Sequence, residues 1–480
     1  MSLEKPAPAI LWFRKDLRLD DNPALHAAIE AGGPVIPVIP VYIREPAHLN
    51  IGPLGAAQAW WLHHSLAALK ASLKSLNSDL ILASGKAEDV LADLARKTNA
   101  TTVFVNRAYE RTLFDRGIAI ELKKRDIAIR AFHGQLLREP KSIRTGAGGA
   151  FRVFTPFWNA LQKVGEPHEP MDAPTKIPSP EHFPPSENLD HWALLPKKPD
   201  WAADFGKIWA PGEAGAQEKL ADVVDRELHD YRRGRDLPSV DATSLLSPHL
   251  AHGEVSAARI WHAVRGLPPK ASEDVAHFRR ELAWRDFCYN LLAEFPELHD
   301  RNWDDRFDGF KWEYDAWEFS AWTAGLTGYP IVDAGMRQLW RTGFMHNRVR
   351  MITASFLIKD LMIDWRRGER WFRDTLVDAD PANNSANWQW VAGSGADASP
   401  FFRIFNPVLQ GEKFDPDGDY VREHVPELAR LDRKYVHKPF EAPEHVLEKA
   451  GIELGKTYPK PIVDHAFARD RALSAYRDIR

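Results

Sequence analysis

Over the first 135 residues, short apolar runs alternate with stretches in which apolar residues recur every three or four positions. AILWF at 9–13, VIPVIPVYI at 35–43, DLILAS at 79–84, TTVFVN at 101–106 and IAIRAF at 127–132 read as strands buried on both faces. Between them NPALHAAIEA, AQAWWLHHSLAALKASLKSL, AEDVLADLARKT and a segment near 112–125 carry helical spacing. Regular alternation of strand and helix predicts a doubly wound α/β domain around a parallel sheet, over 1–135. The first strand-to-helix turn, FRKDLRLDDNP, has no glycine. A pyrophosphate cannot approach the backbone there as it does in a Gly-x-Gly-x-x-Gly turn, so an NAD site is not expected.

From 138 to 211 the chain holds 12 prolines, and 136–212 reads as a long connector partly extended over the surface. From 213 to 480 strand patterns largely give way to helical ones, which predicts an all-α C-terminal domain. Its clearest element is MHNRVRMITASFLIKDLMIDW, read as one helix over 345–365, where Met351, Ser355, Ile358, Met362 and Trp365 recur at helical spacing. No internal repeat is present.

Composition narrows the function classes. The single cysteine, Cys288, rules out an intramolecular disulfide, a cysteine-based zinc site and an iron–sulfur cluster within the chain, and points to a reducing compartment. No apolar run approaches the roughly 18–20 residues needed to cross a bilayer. The opening MSLEKPAPA places an acid and two prolines where a signal peptide has its apolar segment. A cytoplasmic protein without membrane contact is expected. The 63 basic and 67 acidic residues exclude coating of nucleic acid by bulk charge and leave a local basic face open. Of 18 tryptophans, eleven follow residue 250. Most tryptophans pack cores, but this bias makes the C-terminal half the place for ring chemistry.

Four segments there carry candidate chemistry. After the helix-breaking Gly343, the predicted helix opens with His346, Asn347, Arg348 and Arg350. Cations at this end oppose the helix dipole by roughly 0.3–1 kcal/mol each, so an anion should compensate, either a protein carboxylate or a bound phosphate. In DTLVDADPANNSANWQW at 374–390, Asp378, Asp380, Asn383, Asn384, Ser385 and Asn387 crowd a segment bounded by apolar residues, suited to holding the edges of a polar ring. No histidine accompanies these carboxylates at ligand spacing, and no metal site is predicted. TSLLSPHL at 243–250 offers Thr243, Ser244 and Ser247, which serve either as helix caps or as a grip on a diphosphate. FRRELAWRDFCYNLL at 278–292 places Glu281, Trp284 and Arg285 within about one helical turn, either to stack a flat heterocycle or to build a helix crossing.

Together these segments resemble the photolyase/cryptochrome flavoproteins. The resemblance runs from LWFRKDLRLDDNPAL to RIFNPVLQGEKFDPDGDYVREHVPEL at 403–428 and rests on long signatures in order: GYPIVDAGMRQL, GFMHNRVRMITASFLIKDLMIDWRRGERWF and NNSANWQW. MHNR looks like the enzymes that repair cyclobutane pyrimidine dimers, because the (6-4) enzymes carry paired histidines where Asn347 stands. TSLLSPHLAHGEVS looks like plant cryptochromes and the bacterial class III photolyases, whereas class I usually has an arginine at the position of Leu245. The sequence is most similar to a class III repair enzyme.

The resemblance implies that the C-terminal domain holds FAD. Tyr231 and Thr243, Ser244, Leu245, Leu246 and Ser247 would grip its ribityl and phosphate groups; Asp378, Ala379 and Asp380 would line its rings, with Arg350 paired to Asp378. Asn384 would face flavin N5, where an amide hydrogen-bonds without readily exchanging a proton; plant cryptochromes typically have an acid there. Glu281, Trp284, Asn347, Met351 and Trp390 would form the dimer pocket, with Glu281 stabilising the reduced dimer. Arg235, Arg348 and Gln410 would meet the DNA backbone. Trp388, Trp365 and Trp312 fall on the family's electron relay from flavin to surface; from spacing alone they are core tryptophans. An antenna chromophore, methenyltetrahydrofolate, is expected at the N-terminal domain.

The leading function is therefore light-driven repair of pyrimidine dimers in UV-damaged DNA by a monomer. A blue-light photoreceptor is the alternative, and a dark flavin oxidoreductase is third. Cryptochromes often add a long polar tail, whereas the family resemblance reaches about residue 440 here and leaves some 40 residues, which favours repair.

Overall fold

A computed structural model describes residues 7–32, 37–46, 53–398 and 402–479. Five strands, β1 (Ala9–Phe13), β2 (Val38–Arg44), β3 (Ile81–Ser84), β4 (Thr102–Asn106) and β5 (Ala128–Phe132), form one sheet in the order β3-β2-β1-β4-β5. Every neighbouring pair is parallel. Each predicted strand is present within a few residues of its expected bounds; residues 35 and 36 of the second lie outside the described residues. Helices α1 (Pro23–Gly32) and α2 (Ala56–Ser75) cover one face, and α3 (Ala87–Thr98) and α4 (Thr112–Lys123) the other. The two-residue period of β1 divides accordingly: Leu11 and Phe13 join the core with α1 and α2, while Ile10 and Trp12 join the core with α3 and α4.

The proline-rich connector is more tightly packed than its composition suggests. It forms α5 (Phe154–Lys163), whose Phe154, Phe157, Trp158 and Leu161 are buried in the core of the helical half. Further on, Ile177, Trp192 and Leu194 join the core beneath α1 and α2. The connector thus contributes side chains to both halves.

Seven of the C-terminal helices frame the functional region: α6 (Ser247–His252), α7 (Ser272–Glu294), α8 (Pro330–Thr342), α9 (Asn347–Ser355), α10 (Trp365–Thr375), α11 (Pro381–Ala392) and α12 (Pro407–Phe414). The expected single helix over 345–365 is broken. After α9 the chain makes a π-helical turn at Phe356–Asp360, Met362 takes φ 55°, and Asp364 caps a new helix by accepting from the Arg366 amide at 2.9 Å. Apolar periodicity persists through the break because both sides face the same core, which is why the pattern concealed it.

The start of α9 also differs from the sequence reading. His346 is not a cation opposing the dipole. It is the N-cap, and its Nδ1 accepts from the Arg348 amide at 3.2 Å. Burial, reinforced by Arg235, Arg350 and Arg348 and opposed by Asp236, lowers its pKa from 6.5 to about 4. Between those pH values the unfolded chain binds a proton that the folded chain does not. Stability should therefore fall as pH drops below 6.5, by up to about 1.4 kcal/mol per pH unit from this group. His346→Asn keeps a capping oxygen without the titration, so denaturant unfolding of this variant should show a shallower loss between pH 6.5 and 4.5, by about one proton. An unchanged slope would place the acid sensitivity elsewhere.

The two halves meet along α2. Trp61 Nε1 donates to Glu254 Oε1 at 2.9 Å and its ring stacks on His252. The same Glu254 oxygen accepts the Gly212 amide at 2.8 Å. Nearby, Gly253 has φ 72°, and a β-carbon on it would stand 2.0 Å from the Lys15 carbonyl oxygen. Gly451 has a similar φ of 77° with open space around it. Gly451→Ala should then cost about 1–2 kcal/mol for the left-handed backbone alone. Gly253→Ala should cost roughly 3 kcal/mol or more, because backbone of the other half must also move. Equal losses in parallel unfolding titrations would contradict this close approach.

Candidate flavin and substrate cavity

A cavity of about 840 Å³ opens between α6, α7, α9, α10 and α11. It is lined by every residue predicted to bind the cofactor: Tyr231, Thr243, Ser244, Leu245, Leu246, Ser247, Arg350, Asp378, Ala379, Asp380 and Asn384. Seven of the eight residues predicted for the dimer and DNA, Arg235, Glu281, Trp284, Asn347, Arg348, Met351 and Trp390, line the same cavity, as does Trp388. Gln410 lies on α12 outside the lining.

The polar rim is held by buried pairs. Asp378 accepts from Arg350 Nη2 at 2.9 Å and from Ser247 Oγ at 2.6 Å, tying α9 and α6 to the segment before α11. Asp380 caps α11 through the Asn383 amide at 2.8 Å and accepts from Tyr289 Oη at 2.6 Å. Burial alone would raise its pKa, but Lys15, Arg285, the Tyr289 hydroxyl and the Asn383 amide together hold it below the usual carboxylate range. The carbonyl of Ala379 accepts from Gln58 of α2, so the sheet domain helps to fix this rim.

The hydroxyl segment is not consumed as a helix cap. The N-cap of α6 is Leu246, with no side-chain cap, and Ser247 is directed to Asp378. Leu245 holds φ 51°, an uncommon conformation for leucine that keeps Thr243 to Ser247 wrapped along the cavity. The donor set fits FAD: an arginine and hydroxyls suited to phosphate, carboxylates and amides for ring edges, and apolar walls from Leu246, Leu250, Leu282 and Phe372.

Asn384 is oriented by a residue that spacing did not single out. Its Nδ2 donates to Glu369 Oε1 at 2.9 Å and to the Glu369 carbonyl at 3.0 Å. Glu369 is buried and is paired with Arg373. With Nδ2 engaged, Oδ1 is the group Asn384 has left to offer as an acceptor.

At the mouth, the arginines predicted to meet DNA are paired with acids. Arg235 pairs with Glu281, and Arg348 Nη2 with Asp236 Oδ1 at 2.8 Å. Of the two sources of compensation considered for the cations of α9, the structure supplies carboxylates, Asp236 for Arg348 and Asp378 for Arg350. Trp284 is stacked face to face on Phe154 of the connector at 3.9 Å and 9°. Trp390 Nε1 donates to the Asp397 carbonyl at 3.0 Å. Arg285, grouped with Glu281 and Trp284 in the sequence, also lines the cavity and donates to the Gln135 carbonyl at 2.8 Å. It links the sheet half to α7.

Trp388 lines the cavity, while Trp365 lies deeper in the same apolar cluster and Trp312 packs against that cluster part-exposed. Gly368 admits this packing: a β-carbon there would stand 2.2 Å from Trp388. Trp365 Nε1 donates to Asn302 Oδ1 at 2.9 Å. Among the described residues no cluster of metal-ligating side chains is present, and no helix is long and apolar enough to cross a membrane.

Asp236, Glu369, Phe154 and Gln58 were missed by sequence reasoning. Only Glu369 left a trace, four residues before Arg373 at ion-pair spacing on one helix.

Comparison with known proteins agrees with this geometry. Residues 9–180 match the family model described as DNA photolyase, and residues 278–478 match the FAD binding domain of DNA photolyase. The second match extends well beyond residue 440, where the sequence reading ended the resemblance. The chain is 62% identical to a deoxyribodipyrimidine photo-lyase of Agrobacterium fabrum, over 100% of this chain and 99% of the relative. It is 37% identical to cryptochrome-1 of Arabidopsis thaliana, over 96% of this chain and 69% of that protein. The crystal structure of a bacterial class III photolyase from Agrobacterium tumefaciens superposes with a TM-score of 0.95 at 61% identity, covering 100% of this chain and 99% of that one. The chain, with its parallel-sheet domain and helical FAD-binding domain, belongs to the DNA photolyase family.

Proposed function

We propose that the chain repairs cyclobutane pyrimidine dimers in UV-damaged DNA by light-driven electron transfer. The observation that carries this reading is that one cavity is lined both by the residues proposed to grip the cofactor and by those proposed to meet the dimer. Bound FAD, when reduced and excited by light, supplies the electron that opens the cyclobutane ring.

The chain's own residues position and bind. Tyr231 and the Thr243 to Ser247 segment would hold the phosphate and ribityl side, and Asp378, fixed by Arg350 and Ser247, would line the rings with Ala379 and Asp380, the cap of α11. Asn384 offers an acceptor that does not titrate. Trp284 and Met351 present apolar surface to two fused bases, while Glu281 and Asn347 supply polar contacts. A dimer is easier to extrude than an intact pair because its stacking and pairing are already weakened. Arg235 and Arg348 contribute salt-dependent affinity for the backbone, and Gln410 a neutral hydrogen bond to it.

We further propose methenyltetrahydrofolate as antenna, at a second cavity rather than on the sheet. The crevice beyond β1 and β4 is filled by the chain itself: Arg14 pairs with Asp115 at 2.7 Å, and Asn106 donates to Asp16 at 2.7 Å. A cavity of about 480 Å³ between α5 and the helical half is walled by Trp158 and Trp261 and edged by Glu166, Arg138, Arg265 and Arg279. Indole faces and a carboxylate suit a pterin ring, and guanidinium groups suit an anionic glutamyl tail.

Photoreduced protein incubated with a thymine-dimer oligonucleotide should restore the monomers under blue light and not in darkness. Absence of light-dependent recovery would remove the repair reading and leave the photoreceptor alternative. Trp388→Phe keeps an aromatic ring of similar shape but removes, of the three indoles on the cavity wall, the one proposed to begin the electron relay. It should retain FAD, lose most photoreduction by an external thiol, and still repair when chemically pre-reduced. Joint loss of flavin and repair would assign Trp388 to packing.

A further inference from the structure

Two adjacent residues form a clasp on the cavity wall. Arg235 and Asp236 follow the short helix Tyr231–Gly234; Arg235 reaches back to Glu281 on α7, and Asp236 reaches across to Arg348 on α9. The second pair is built to exchange. Arg348 lies over the Phe414 ring at 4.3 Å, which aims its guanidinium. Only Nη2 meets a carboxylate; Nη1 has the Met351 sulfur at 3.8 Å, and the buried Nε has no partner. Asp236 therefore holds Arg348 through one oxygen, on a side chain 41% exposed. A backbone phosphodiester, which presents two non-bridging oxygens to solvent, can engage more of the fork than this single contact does.

We propose that Asp236 is an internal competitor of the DNA backbone: it occupies Arg348 in the free protein and must be displaced by a phosphate when DNA binds. This rests on the reading of Arg348 as a backbone contact. The competing charge is close enough to weaken capture of any strand at the mouth, and its effect is screened as salt rises. Arg348 thereby stays ordered and partnered between encounters. Affinity is set by the difference between two anions rather than by a bare cation.

The test is a double-mutant cycle on the flavin-loaded protein, with binding of a duplex carrying one thymine dimer measured in darkness at low salt. Asp236→Asn should tighten binding by about three- to ten-fold, in the range expected for removing one half-exposed competing charge. Asp236→Ser should do the same, which guards against a folding artefact in either variant, and both should retain flavin absorbance. In an Arg348→Ala background the gain should vanish. An unchanged or weaker affinity in both Asp236 variants overturns the proposal, as does a gain that persists in full without Arg348, since that is general charge repulsion. If Arg348→Ala alone binds as the wild type does, the backbone-contact reading itself fails, and the proposal falls with it.

Discussion

A charge removed from water must be paired, and around this cavity that requirement fixes the geometry. Asp378 is buried against Arg350 and Ser247, Asp380 against Tyr289 and the first turn of α11, and Glu369 against Arg373 and Asn384. The Asp378 and Asp380 contacts join segments far apart in sequence, and Glu369 ties α10 to α11. Removing one partner would leave its mate buried and uncompensated, at about 3–5 kcal/mol, more than a single exposed ion pair contributes. The rim is thus ordered by its own electrostatics. Glu254 applies the same constraint to the domain interface, where one buried carboxylate gathers Trp61, Gly212 and His249.

This explains which parts were legible in sequence. Strands of a parallel sheet covered by helices are apolar, so all five could be read from their apolar runs, although β5, at the sheet edge, is largely exposed and not buried as expected. The polar cluster at 374–390 was also legible, because carboxylates and amides bounded by apolar residues need a reason to be there. The break between α9 and α10 was not, since no glycine or proline marks it and the apolar stripe continues through Met362 and Trp365. Asp236 was invisible for a different reason: a lone acid in a turn pattern reads as surface until its partner, more than a hundred residues away, is placed beside it. Family resemblance, not periodicity, gave Gln58's neighbours on the rim their roles; Gln58 itself needed the docking of α2 to become meaningful.

The tryptophans illustrate the limit of burial as a guide. Trp388, Trp365 and Trp322 all lie in one apolar cluster and share its packing. What separates Trp388 is position on the cavity wall, and what separates Trp312 is partial exposure against the same cluster. An electron path needs these two ends and closely packed aromatic matter between them; a core needs only the packing. Core stability and electron transfer are therefore compatible demands on the same residues, and neither leaves a mark in spacing.

If Asn384 faces the flavin as proposed, its surroundings bear on the choice between repair and signalling. Its neighbour Glu369 already carries the negative charge of this corner, and Arg373 is the cation paired with it. A carboxylate in place of the amide would put a second buried anion within hydrogen-bond reach of Glu369 while removing the donor that Glu369 now accepts from. One of the two acids would then have to take up a proton, which makes the corner titratable. The amide avoids this: it donates to Glu369, keeps its carbonyl oxygen as an acceptor, and leaves the local charge fixed. A site that must return to its starting state after each turnover benefits from a neighbour that neither gives nor takes a proton. A photoreceptor, which has to register that a photon arrived, has use for one that does.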